Sequence, residues 1–273
     1  LGVDLTGLHG SGPQGAVTVA DVEAAATAAP VAAPVAAPAA PRAPAGQPTT
    51  ADRAAAMRQA IGQLMARSKR EIPHYYLSAT IDMSRATAWL TEQNTRRDVA
   101  HRLVPAVLLL KASALACRTV PEVNGWWAED RFAPSEQVHL GVAVALRPSG
   151  LVAPAILDAD TLDLDTLMQR LRDLVARARA GTLRASEMSS PTLTVTNLGD
   201  QGVDAVYGVI YPPQVALVGF GRVAERPWAQ DGMLGVRSVV TATLSGDHRA
   251  SDGHRGGRYL AAVADLLQRP EEL

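Results

Sequence analysis

Apolar positions recur along this chain with two periods, and the switches between them mark its elements. In residues 52–70, Met57, Ile61, Leu64 and Met65 fall at helical spacing, and Pro73 stops the helix they predict. Residues 74–82 read as a strand, and 104–118, almost continuously apolar, as a buried helix. Residues 138–144 and 151–156 read as two strands around the turn Pro148-Ser149-Gly150. The clearest helix is 164–178, where Leu164, Leu167, Met168, Leu171, Leu174, Val175 and Ala178 form one stripe and Gly181 follows as the stop. Strands are predicted at 192–196, 215–219 and 236–244, and a last helix at about 253–268. Helices and strands mix without strict alternation, so the predicted class is α+β, a sandwich with helices packed on one face of a mixed sheet.

Before this domain, at 52–273, the pattern disappears. Residues 27–51 are nearly all Ala and Pro, as in Ala29-Pro30-Val31-Ala32-Ala33-Pro34, with too little apolar bulk for a core; this reads as a semi-rigid extended linker. Upstream, residues 1–26 carry turn signals from Gly10 to Gly15, and Thr18 with Asp21 three positions on reads as the cap of a short helix. The glycines match G-x-G-x-x-G, but a dinucleotide site needs a buried strand before them and a second strand after, and an Ala/Pro linker follows instead. The first residue is Leu1, so the natural protein is expected to begin further upstream.

With 273 residues, 47% of them apolar, the chain can bury a sizeable core. A formal net charge of -1 leaves no basic footprint for nucleic-acid phosphates. No run of about twenty uninterrupted apolar residues predicts a membrane span, and no secretory signal is legible. A single cysteine, Cys117, sits in the apolar 104–118 segment and reads as core; the expected location is cytoplasmic.

The chemistry is concentrated in Ser245-Gly246-Asp247-His248-Arg249-Ala250-Ser251-Asp252-Gly253, where a long strand gives way to a helix. From spacing alone, Asp252 could be only the N-cap of that helix and His248 only a loop residue. This stretch resembles the D-H-R-x-x-D-G signature of the dihydrolipoyl acyltransferases of 2-oxo acid dehydrogenase complexes, whose fold is shared with chloramphenicol acetyltransferase. Further matches follow in order: Ile72-Pro73-His74; Gly141-Val142-Ala143-Val144 with Gly150-Leu151-Val152-Ala153-Pro154; Thr194-Val195-Thr196-Asn197-Leu198-Gly199, like T-I-S-N-L-G; and Pro212-Pro213-Gln214-Val215-Ala216-Leu217-Val218-Gly219. His254 and Arg255 depart from the small apolar residues common there. Residues 1–26 resemble the second half of a peripheral subunit-binding domain.

The resemblance implies acyl transfer, acetyl favoured, between dihydrolipoamide and coenzyme A. His248 would be the general base, Thr196 the hydroxyl that meets the oxyanion, and Asp252 a residue holding the geometry through an ion pair with an arginine, Arg58, Arg85 or another. Coenzyme A would be a substrate, and no metal is implied. The lipoyl group would ride on a domain absent from these residues, because Lys69 and Lys111, the two lysines, both fall in predicted helices. Implied partners are two further copies in a homotrimer, a larger core built of trimers, and the 2-oxo acid decarboxylase and dihydrolipoyl dehydrogenase components, with no nucleic acid and no membrane. His248 and Thr196 would then come from neighbouring chains. Two rival readings are a non-catalytic tethering component, which would tend to lose the histidine, and a stand-alone small-molecule acetyltransferase, which would have no use for the linker.

Overall fold

The computed structural model describes residues 8–27, 50–146, 150–230 and 232–273. The chain divides into two compact units, Leu1–Pro48 and Thr49–Leu273. Much of the expected linker lies outside the described residues.

In the first unit a 3-10 turn at Pro13–Gly15 precedes helix α1, Val19–Thr27. Asp21 organises this piece by accepting from Thr18 N–H and Oγ (2.7 and 2.8 Å) and from Ser11 N–H and Oγ (3.0 and 2.6 Å). Four donors to one carboxylate hold its pKa well below the usual carboxylate range, the Ser11 hydroxyl contributing most.

The second unit runs in order through helix α2 (Thr50–Glu71), strand β1 (His74–Asp82), α3 (Ser84–Thr95), α4 (Pro105–Thr119), β2 (Gly125–Ala128), β3 (Arg131–Pro134), β4 (Leu140–Val142), β5 (Val144–Ala145), β6 (Leu151–Val152) and β7 (Ala155–Ile156). It continues with α5 (Leu164–Ala180), α6 (Ala185–Ser189), β8 (Leu193–Asn197), β9 (Ala216–Phe220), β10 (Ala224–Gln230), β11 (Met233–Asp247) and α7 (Gly253–Leu267). The main sheet has the order β1-β11-β9-β8-β4-β7, with β10 paired to β11. β8 runs parallel to β4 and β9, and the other pairs are antiparallel, so the mixed α+β sheet predicted by the pattern is present.

One face of that sheet carries the core. Leu77, Ala79 and Ile81 of β1 oppose Leu244, Ala242 and Val240 of β11, and this surface packs with α4 and α7 through Leu108, Ala112, Tyr259, Leu260 and Val263. Residues Val99–Thr119 are long and apolar enough to match a membrane span, but α4 is a core helix here: Val107 to Ala114 is buried without a break. Its buried Lys111 ammonium donates to the Asp160 and Leu162 carbonyls, and desolvation lowers its pKa despite the nearby Asp160 and Asp163 carboxylates. Cys117 is buried, and that burial pushes its thiol far above the ordinary range.

α5 begins on Asp163, whose carboxylate accepts from Thr166 N–H, and ends at Gly181 with φ 71°, a left-handed cap that glycine adopts without strain. α2 starts at Thr50 and β11 extends from 233 to 247, both longer than periodicity predicts. Five elements have no counterpart in the pattern: α3, β2 and β3 of one hairpin, α6 and β10. The Pro148-Ser149 turn lies mostly outside the described residues.

Candidate active site

β11 carries its chain to the sheet's end, and the residues that follow leave it as a tight loop before α7. Nearly every residue of that loop is tied down. Asp247, its side chain fully buried, takes two bonds from the Arg249 guanidinium, Nε to Oδ1 at 2.9 Å and Nη2 to Oδ2 at 2.6 Å. The same guanidinium lies 4.5 Å over the Trp127 ring of the β2–β3 hairpin. Asp247 N–H donates to Val215 O and His248 N–H to Pro73 O, which fastens the loop to its neighbours.

Asp252 caps α7: its carboxylate accepts from Arg255 N–H at 2.9 Å and from Arg255 Nη1 at 2.9 Å. Those bonds, the backbone one first, hold its pKa below the ordinary carboxylate value. The arginine expected to pair with Asp252 is therefore Arg255, within the same helix, and not Arg58 or Arg85. Arg255 also reaches Glu122 at 2.8 Å, so the departure from small apolar residues at this position supplies an exposed three-member ion network. Both earlier readings of Asp252, cap and ion-pair member, describe the same side chain.

The His248 side chain stands apart from this tethering. It is exposed, and among the described residues its ring nitrogens have no hydrogen-bond partner. Its one ring neighbour is Tyr75, edge-on at 5.3 Å between centroids and 70° between planes. An imidazole so placed can take up or release a proton at a thiol brought to it from outside.

Thr196 is half-buried on β8 and pairs with Gly219 of β9, which in turn pairs with Thr243 of β11. From there to His248 the extended chain, at about 3.3 Å per residue, covers about 16 Å, and two strand spacings of about 4.8 Å add about 10 Å across. Within one chain the two candidate residues are far apart, too far to serve one reacting carbonyl.

A cleft of about 280 Å³ beside the loop is lined by Arg67, Trp127, Pro213, Gln214 and Arg249 among others. Its two arginines are already paired, Arg67 with Glu71 and Arg249 with Asp247, so its walls are charge-compensated. Among the described residues no three His, Cys, Asp or Glu side chains gather as a metal-ligand set. Reading the sequence missed Tyr75, Trp127 and Glu122 as parts of this site; all three are brought in by long-range packing, and only the unusual Arg255 gave a local signal.

A mixed sheet backed by helices, with an imidazole presented from the end of a long strand, defines an α+β domain of the acyltransferase class. The chain belongs to the 2-oxoacid dehydrogenases acyltransferase (catalytic domain) family, whose model matches residues 46–273. It is 32% identical over 273 residues to the dihydrolipoyllysine-residue acetyltransferase component of the pyruvate dehydrogenase complex of Zymomonas mobilis, a match covering 98% of this chain and 62% of that relative. The chain thus spans less than two thirds of that protein. Among solved structures it resembles the dihydrolipoamide acetyltransferase of Azotobacter vinelandii, studied for the role of a serine, a histidine and an asparagine in its catalytic mechanism, with a TM-score of 0.75, 27% identity, and 80% of this chain and 90% of that one covered. The cubic core of a pyruvate dehydrogenase multienzyme complex is similar to the same degree, with a TM-score of 0.75, 28% identity, and the same 80% and 90% covered.

Proposed function

We propose that this chain transfers an acyl group, acetyl by preference, between the thiol of dihydrolipoamide and coenzyme A, with His248 as general base. A thiol titrates near pH 8.5 and is mostly protonated at neutral pH, so a base must free its nucleophile. The His248 imidazole takes that proton, and the thiolate attacks the thioester carbonyl. The carbonyl oxygen becomes an oxyanion, which the Thr196 hydroxyl of a neighbouring copy stabilises by donating a hydrogen bond. Collapse of the intermediate expels the second thiolate, and the imidazolium returns the proton to it. Asp252, by capping α7, holds the loop from which His248 projects.

The observation that carries this reading is a spacing. The serine, histidine and asparagine studied in the Azotobacter enzyme have the same separations along their chain as Thr196, His248 and Asp252 have here, and His248 is open to an incoming thiol. The family membership supports it, as does the presence of the histidine that a purely tethering component would tend to lose. In this reading residues 1–26 dock the decarboxylase and dihydrolipoyl dehydrogenase components, 27–51 tether, and 52–273 catalyse as a homotrimer within a larger core.

Transfer of acetyl from acetyl-CoA to free dihydrolipoamide tests it. His248→Ala is expected to lower kcat by about a hundredfold to ten-thousandfold, the usual worth of a positioned base. An unchanged rate in that variant would sink the proposal.

A further inference from the structure

The loop bearing His248 is hydrogen-bonded at most of its residues, His248 through its backbone N–H but not through its ring, so something else must set the direction of that ring. The one aromatic surface against it belongs to Tyr75, which sits on β1 and faces the helical layer. The fold makes room for this phenol at two glycines. A Cβ at Gly246, the residue directly opposite Tyr75 on β11, would lie 2.4 Å from its ring carbons. A Cβ at Gly256, in the first turn of α7, would lie 2.9 Å from its hydroxyl oxygen. No L side chain fits at either place without moving the ring, and the two glycines bracket the His248 loop on both sides. The hydroxyl in turn sits 2.8 Å from the Oγ of Ser251, itself buried, so the same residue grips the loop at a second point.

We infer that Tyr75 is a positioning residue for the acyl-transfer reaction: its ring edge orients the His248 imidazole and its hydroxyl anchors the loop through Ser251. The inference rests on the reading of His248 as the base. Ring and hydroxyl have separable duties. The ring sets the imidazole's direction, and therefore the rate of proton transfer once substrate is bound. The hydroxyl restrains the backbone of the loop. Neither touches coenzyme A in this account, so the effect belongs in kcat and not in KM.

The test compares Tyr75→Met, which keeps apolar bulk but removes the ring, with Tyr75→Phe, which keeps the ring, in the assembled protein. An aromatic edge contact of ordinary strength corresponds to about a twofold to tenfold change in rate. Tyr75→Met is expected to lose kcat by about that factor with KM for acetyl-CoA unchanged, and Tyr75→Phe to recover most of the loss. Wild-type kcat in a folded Tyr75→Met protein overturns the inference, and so does a Phe variant as slow as the Met variant. If Tyr75→Met does not assemble, Tyr75→Phe and Ser251→Ala still decide the hydroxyl's part. The two should lower kcat equally and the double variant no further; losses that multiply overturn it. The parent proposal fails separately: His248→Ala with full activity removes the base, whereas a dead His248→Ala beside a fully active Tyr75→Met removes only the role of Tyr75.

Discussion

Two histidines in this domain show how surroundings divide one residue type into different roles. His248 is open and unbonded at its ring. His74, at the start of β1, is engaged at both nitrogens: Nδ1–H donates to Ile72 O at 2.9 Å, and Nε2 accepts from Ile210 N–H at 3.2 Å. That arrangement requires a neutral ring, and burial lowers the His74 pKa from its ordinary 6.5. Because the unfolded chain binds the proton more readily, the stabilisation is complete above about pH 6.5 and is lost as pH falls from there through the folded value. Urea midpoints measured downward from pH 7.5 should therefore fall below about pH 6.5 in the wild type, and this part of the slope should flatten in His74→Asn. Equal slopes in the two proteins would show that His74 is not the group responsible. The motif Ile72-Pro73-His74 was legible in the sequence, but its job was not, since Ile210 lies far along the chain.

At the scale of elements, the clear successes and misses have local causes. α5 was legible because a full apolar stripe and a terminal glycine agree. α3 was not, because it buries only Ala86 and Leu90 and so writes almost no period. The β2–β3 hairpin was missed because its turn uses Glu129 and Asp130 at φ 52° and 54°, where glycine or asparagine is the usual signal. β10 is an exposed edge strand with Pro227 in it, a poor match to any buried-strand pattern. The pairing of β1 with β11 supplies a prediction of its own. Gly246→Ala forces the Tyr75 ring from its seat and should cost about 1–3 kcal/mol of stability, as overpacking does, along with part of kcat. A melting curve and a rate on the same sample check it, and wild-type values of both would mean the ring moves aside freely.

For the whole molecule the decisive quantity is the separation of Thr196 from His248. If the site is shared between neighbouring copies, mixed assemblies of two inactive variants should regain activity. Chains carrying His248→Ala, co-expressed with chains carrying Thr196→Ala, are expected to recover a clear fraction of wild-type rate, because some sites then combine the intact histidine of one chain with the intact threonine of another. Absence of any recovery in assemblies shown to be mixed would place both residues in one chain's site, or exclude Thr196 from it. The sequence by itself determined the strongly periodic helices and strands, the α+β class and the loop that carries the candidate base, because periodicity and loop chemistry are written in neighbouring residues. Only the tertiary structure decided what stands against that base, which arginine meets Asp252, and how far Thr196 lies from His248. Periodicity tells which face a side chain presents; what waits on the other side of that face depends on strand order and register, and those are set by contacts between distant parts of the chain.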